Sequence, residues 1–442
     1  MSPFGERLPD LVVRPPGPAS REMAARLRRV ESRNVTWLAE DFPVFWVEAK
    51  GANVRDVDGN VLLDLTGAFG VALAGHAHPH VVQAVRNQAG RLLHGMGDVH
   101  PPTAKVELLE RLAGLAPWEG AKGVLASTGS EAVEIALKTA LVATGRPGVL
   151  AFEGSYHGLT LGSLAATTRP LFREPFEARL YPGVAFAPFP RGGRGVEEPD
   201  EALEEVEALL ARGVPGGDTI GAVIVEPIQG RAGVRIPPRG FLAEVARLAH
   251  VHGALIIADE ILTGMGRCGA PLASTRLGLV PDLVCVGKAL GGGMPMSACL
   301  GRPEVMDAWP PSRGEAIHTS TFLGHPGACA AALAMLDLLD EGLGRAAEAV
   351  GSALLAGLQK GLSNVPDVRE VRGLGALIGL EMHGPDAPAA RISRRALSEG
   401  LLVLPAGASG HVLELLPSAY LTEAQTDHAI DVLVRIVRGN ST

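Results

Sequence analysis

The 442-residue chain has no apolar run approaching the roughly 18 residues that span a bilayer. Residues 1–10 carry charge and prolines where a secretory signal needs a continuous apolar stretch. An excess of positive charge is also missing: a net charge of -8 gives no basic field to hold nucleic acid or an anionic membrane. Cysteine is scarce. Cys268, Cys285, Cys299 and Cys329 have neither metal-type spacing nor the density of a disulfide framework, so they read as buried or incidental thiols. No fixed-period repeat is visible, and the 56 glycines and 33 prolines are scattered among apolar segments rather than gathered in low-complexity tracts. These absences predict a folded cytoplasmic protein acting on a small molecule, with no metal, nucleic acid or membrane as partner.

The length predicts two domains, because single cores stop growing below about 300 residues. Strand-like residues 53–57 and 61–65 are split by Asp58-Gly59-Asn60, a hairpin signal. Apolar runs at 123–126, 148–152, 222–225, 254–258 and 283–286 then alternate with helical patterns, such as Val133, Ala136, Leu137 and Ala140, and again over 241–250. Runs that are apolar throughout predict strands buried on both faces, as in a parallel sheet covered by helices. The fold class is therefore α/β: a large domain with a mostly parallel central sheet flanked by helices, over 76–332, and a smaller α+β domain. The smaller domain joins residues 1–75 to 333–442, with strand candidates at 377–382 and 412–416. Residues 188–195 and 213–217 read as surface loops.

Five segments carry chemistry. Ser127-Thr128-Gly129-Ser130-Glu131 follows an apolar run and opens a helix, where free amides, small hydroxyls and a glycine make a phosphate seat; an ordinary helix cap has the same look. Asp259 ends the run at 254–258, where α/β proteins place their chemistry, and suits holding a pyridinium nitrogen protonated. Lys288, in Gly287-Lys288-Ala289-Leu290-Gly291, stands at a strand end beside a glycine-rich loop and can attack a carbonyl if burial lowers its pKa. Tyr156, in Glu153-Gly154-Ser155-Tyr156-His157-Gly158, offers a face for a planar ring. His318-Thr319-Ser320-Thr321-Phe322 supplies further hydroxyl donors for a phosphate. By contrast, Gly264-Met265-Gly266-Arg267-Cys268-Gly269 matches a dinucleotide fingerprint but opens no helix on its last glycine, so a nicotinamide enzyme is disfavoured.

In this order and spacing the segments resemble the class III pyridoxal-phosphate aminotransferases of fold type I. The likeness extends through Gly75-His76-Ala77-His78-Pro79, Val225-Glu226-Pro227-Ile228-Gln229-Gly230 and Val371-Arg372-Gly373. The resemblance implies pyridoxal 5'-phosphate held as an aldimine on Lys288, with Asp259 at the pyridine nitrogen and Gly129 and Ser130 at the phosphate. Tyr156 and Ile261 then cover the two ring faces, and His157 and Glu226 complete the cofactor-binding set. It further implies a homodimer, or a tetramer, in which Thr321 reaches the neighbour's phosphate. The implied reaction moves an amino group from an amine, ω-amino acid, diamine or hydrophobic amino acid to a keto acid or aldehyde, through a pyridoxamine form. An amino-acid racemase or epimerase on the same scaffold is the rival reading.

The pocket departs from that pattern. Leu159 stands where relatives acting on γ-aminobutyrate or ornithine carry Arg, so a distal carboxylate loses its expected partner. Arg231 and Glu414 occupy the positions of a Glu and an Arg that pair as a gate in those enzymes, which suggests the same gate with its charges reversed. Leu262 replaces a ring-contacting Gln, and His325 an Asn. With Phe69 and Leu159, the expected pocket is less polar than in those relatives.

Overall fold

The computed structural model describes residues 2–190, 199–384 and 387–439. Of the expected loop at 188–195, residues 191–198 lie outside this set. The chain divides into two compact units, one of Pro79–Gly344 and one of Met1–His78 with Arg345–Thr442.

In the larger unit a seven-stranded sheet runs, from one edge, Lys122–Ala126, Ser297–Gly301, Leu283–Val286, Leu255–Glu260, Ile220–Val225, Gly148–Phe152 and Val184–Ala187. The last five pair in parallel, and only Ser297–Gly301 runs antiparallel to both its neighbours. Ile220–Val225 is buried at all six positions, as an uninterrupted apolar strand must be when helices cover both faces.

Helix Gly129–Thr144 packs Ala132, Val133, Ala136 and Ala140 against Ile224, Ile257 and Cys285 of the sheet. Its start is fixed by a capping box between Thr128 and Glu131, and its end by Gly145 at φ 66°. All four cysteines are buried, and none is in a disulfide. Parallel strands share a direction, so the residues after Phe152, Val225, Ala258 and Val286 emerge along one edge.

In the smaller unit Asn53–Asp56 pairs antiparallel with Val61–Asp64, and the Asp56 carboxylate closes the turn by accepting from the amides of Asp58 and Asn60. A second sheet orders Val368–Leu374, Leu377–Met382, Val412–Leu415 and Leu404–Ala406. Its core includes Leu380, Leu413, Leu354 and Leu433. Gly351, on the helix Leu343–Leu362, sits so close to the carbonyl of Gly375 that a β-carbon would overlap it. Helix propensity alone favours alanine there by about 1 kcal/mol. The overlap reverses that sign, and Gly351→Ala is expected to destabilise the protein by about 1–3 kcal/mol. Thermal melting checks this, and a raised melting temperature contradicts it.

Among the described residues no helix is long and apolar enough to cross a membrane.

Candidate active site

Asp259 is the last residue but one of the strand Leu255–Glu260 and is 5% exposed. Its Oδ2 lies 2.7 Å from His157 Nδ1, and its Oδ1 accepts from the amide of Ile261 at 3.1 Å. The His157 side chain is wholly buried, and its backbone amide donates to Thr167 Oγ1 at 2.9 Å. The other ring nitrogen, Nε2, has no hydrogen-bond partner in the buried site. Both ends of the carboxylate are thus fixed before any ligand arrives.

One strand over, Val225 pairs with Ala258, which brings Glu226 level with Asp259. Glu226 Oε1 accepts from the amide of Tyr156 at 2.9 Å. Burial pushes the Glu226 carboxyl up to about 7, and the Asp259 charge pushes the same way against His157 and Lys288. The unfolded carboxyl ionises from about pH 4.5 while the folded one stays protonated, so the protein loses stability as pH rises towards 7. Glu226→Gln removes that loss. The cofactor-free variant is expected to gain on the order of 3 kcal/mol over the parent above pH 7, a gap that closes as pH falls to 4.5. A gap independent of pH in melting experiments contradicts this.

The helix start at Gly129 is partly committed. Glu131 accepts from the amides of Ser127 (2.7 Å) and Thr128 (3.1 Å), which leaves the first-turn amides of Gly129 and Ser130 as the helix's anion donors. Ser130 Oγ accepts from the amide of Leu159 at 3.2 Å, and a β-carbon on Gly158, at φ 126°, would overlap that hydroxyl. Ile261 links the parts: a β-carbon on Gly129 would come within 2.9 Å of it, and one on Gly287 within 3.0 Å. One face of Ile261 therefore touches the helix start and the residue before Lys288, while its amide holds Asp259. Lys288 itself follows Leu283–Val286 at φ 43°, a left-handed conformation uncommon for a non-glycine residue.

These residues suit pyridoxal phosphate. Glycines hold the floor at Gly129 and Gly287 where side chains would intrude, helix amides face a phosphate, a buried acid suits a ring nitrogen, and Lys288 suits a carbonyl.

The other candidates are divided between the two units. Thr321 is exposed in the loop before helix Pro326–Glu341. His325, at the Asn position, caps that helix as Asn would, its Nδ1 accepting from the amide of Ala328 at 3.3 Å. Residues 264–269 form turns around the wholly buried Arg267, with Met265 donating to the Pro271 carbonyl. Phe69 belongs to the smaller unit and follows Ala68 into the left-handed region, at φ 59° and 48°. That strained turn is tied down by Asp64, which accepts from Thr66 Oγ1, the amides of Thr66 and Ala68, and His76. Glu414 also belongs to the smaller unit, where it is buried and shares Gly379 as a register neighbour with Arg372. Arg231 and the exposed Leu159 belong to the larger unit.

The family model of the class III aminotransferases matches residues 37–437. The chain belongs to the class III aminotransferases. Like the family, it is a pyridoxal-phosphate-dependent aminotransferase of fold type I. It is 39% identical to the acetylornithine aminotransferase of Methanopyrus kandleri, over 90% of this chain and 95% of that one. The alanine/serine racemase of Pyrococcus horikoshii is 33% identical over 98% of this chain and 94% of its own. Among solved structures, the Toxoplasma gondii ornithine aminotransferase, crystallised with oxidised glutathione and carrying PLP at partial occupancy, superposes with a TM-score of 0.83. It is 27% identical and covers 95% of this chain and 94% of its own.

Proposed function

We propose that this aminotransferase works through Lys288, with Asp259 and His157 holding the ring-nitrogen end of the cofactor and the Gly129 and Ser130 amides its phosphate. The observation that carries the reading is the Asp259–His157 pair buried at the sheet edge to which Lys288 also belongs. Bound pyridoxal phosphate supplies a carbonyl that takes up the substrate amine and a protonated ring that draws electrons from the substrate's Cα. Lys288 would hold the cofactor through its carbonyl, and its amine would take the Cα proton and return it. Asp259 would hold a proton on the ring nitrogen, and His157 orients that carboxylate. Tyr156 and Ile261 bracket the ring, and Glu226 fixes the Tyr156 backbone. The donor is an amine, ω-amino acid, diamine or hydrophobic amino acid, and the acceptor a keto acid or aldehyde.

The assembly is a cytoplasmic homodimer, with Thr321 reaching the neighbour's phosphate. An apolar surface beside Thr321 supports it: Leu93 (67% exposed), Ile317 (70%) and Phe322 (59%) face solvent in one chain, and the His94 and Phe322 rings meet at 5.5 Å. Sedimentation at micromolar concentration is expected to give a dimer or its multiple, and a monomer contradicts the shared site.

The similarity to the racemase of Pyrococcus horikoshii favours a second reading, racemisation, in which the proton returns to the opposite face of Cα. Mixing holoprotein with amines and amino acids, without any acceptor, separates the two. Transamination converts one equivalent of cofactor per site to its amino form. Catalytic loss of optical purity with no keto product means racemisation instead.

A further inference from the structure

Residues 157–159 join the two ends of the site. His157 Nδ1 lies 2.7 Å from Asp259 Oδ2, and two residues on the amide of Leu159 donates to Ser130 Oγ at 3.2 Å. Between them Gly158, at φ 126°, has no room for a side chain, because a β-carbon there would overlap the Ser130 hydroxyl. Glycine leaves the backbone its widest freedom, so the order of this strip has to come from outside it.

Thr167 supplies that order. The residue is wholly buried, and its Oγ1 accepts from the His157 amide at 2.9 Å. The single hydroxyl proton is shared between the carbonyls of Gly158 (3.1 Å) and Ser163 (3.2 Å). Thr167 is itself fixed from the far side. Arg173 Nη1 donates to the Thr167 carbonyl (2.9 Å) and to those of Leu164 (3.1 Å) and Ala165 (2.6 Å), at the end of the short helix Leu161–Ala165. On the near side Ser155 Oγ donates to the carbonyl of Ala166 (2.7 Å) and the Thr168 amide to that of Ser155 (3.1 Å), which lays residues 166–168 beside 155–158. Filling the space does not need a hydroxyl, since valine matches threonine in shape. Valine would remove the acceptor of the buried His157 amide and a donor to the buried Gly158 carbonyl.

We propose that Thr167 is a positioning residue for the cofactor: its hydroxyl sets the strip 157–159, and with it His157 against Asp259 at the ring-nitrogen end and Leu159 against Ser130 at the phosphate end. The inference rests on the transaminase reading and deepens it, by placing control of both ends of the seat on one side chain whose own hydrogen bonds run to backbone.

The test uses the full-length protein carrying Thr167→Val, Thr167→Ser or Arg173→Gln. Thr167→Val is expected to weaken pyridoxal phosphate about 10-fold or more, measured by calorimetry on the cofactor-stripped chain. In the holoprotein its kcat should fall about 10-fold or more while the donor KM stays within about three-fold. Thr167→Ser keeps the hydroxyl and should remain within about three-fold of the parent in each quantity. Packing alone predicts the opposite order, because serine loses a buried methyl and valine does not. The third readout needs no cofactor: the ring-nitrogen resonances of His157, assigned by their absence from His157→Gln, should move in Thr167→Val, move less in Arg173→Gln and stay in place in Thr167→Ser. A serine variant as impaired as the valine one overturns the proposal, as does a valine variant whose His157 resonances and cofactor affinity match the parent. If Thr167→Val does not fold, Arg173→Gln decides: His157 resonances and cofactor affinity that shift together support the proposal, and unmoved resonances overturn it. Failure of the transaminase reading looks different: no donor then reacts with the parent holoprotein, while the His157 resonances still report on Thr167.

Discussion

Lys288→Ala is expected to lower transamination by about three to four orders of magnitude or more, because in the proposed mechanism one side chain supplies both the covalent anchor and the base for Cα. Its neighbours predict what survives. Gly129, Ser130, Asp259 and Ile261 make their contacts without the Lys288 side chain, so the variant should still bind the cofactor, now without a covalent link. Lys288→Arg is the control that separates charge from chemistry: guanidinium keeps the positive charge but cannot release a proton at working pH, so it should fail as completely as alanine. Cofactor titration with single-turnover kinetics checks both variants. Turnover within ten-fold of the parent in either one refutes the role of Lys288.

Asp259→Asn is expected to cost about 10²- to 10⁴-fold in turnover. An amide matches the carboxylate in size but carries no charge to keep the ring nitrogen protonated, so the electron sink is lost. It also leaves one acceptor oxygen for two buried donors, His157 Nδ1 and the Ile261 amide, so an NH2 group must face one of them. Asp259→Glu keeps the charge on a longer arm and should recover part of the rate. A slow Asn variant that binds cofactor normally supports the assignment. An Asn variant as fast as the parent means that the ring nitrogen is not held by this residue.

Much of the larger unit was legible because buried parallel strands are written as apolar runs. Residues 148–152 and 283–286 match observed strands end to end. The run at 254–258 stops short because the strand continues through Asp259 and Glu260, whose buried carboxylates interrupt the apolar pattern. Two strands carried no readable signal. Ser297–Gly301 is short and rich in small residues, and its strand character comes from antiparallel neighbours on both sides. Val184–Ala187, after Pro182 and Gly183, is an edge strand with a single neighbour.

Site residues were legible where a motif concentrates them and illegible where tertiary structure joins them. His157 and Asp259 lie 102 positions apart, so no spacing rule connects them, yet their bond defines the ring-nitrogen end of the site. The commitment of Glu131 to the Ser127 and Thr128 amides is local, part of a capping box, and it narrows the phosphate seat to Gly129 and Ser130.

The most direct test is to treat the holoprotein with borohydride, digest it and find the residue that carries the cofactor's mass. The lysines are Lys50, Lys105, Lys122, Lys138, Lys288 and Lys360. Lys122 is paired with Asp307, Lys105 donates to the carbonyl of Gly97, and Lys50 and Lys360 are exposed. The account predicts the adduct on the peptide containing Lys288 and on no other. An adduct on a different lysine, or none from a protein that still transaminates, would contradict it.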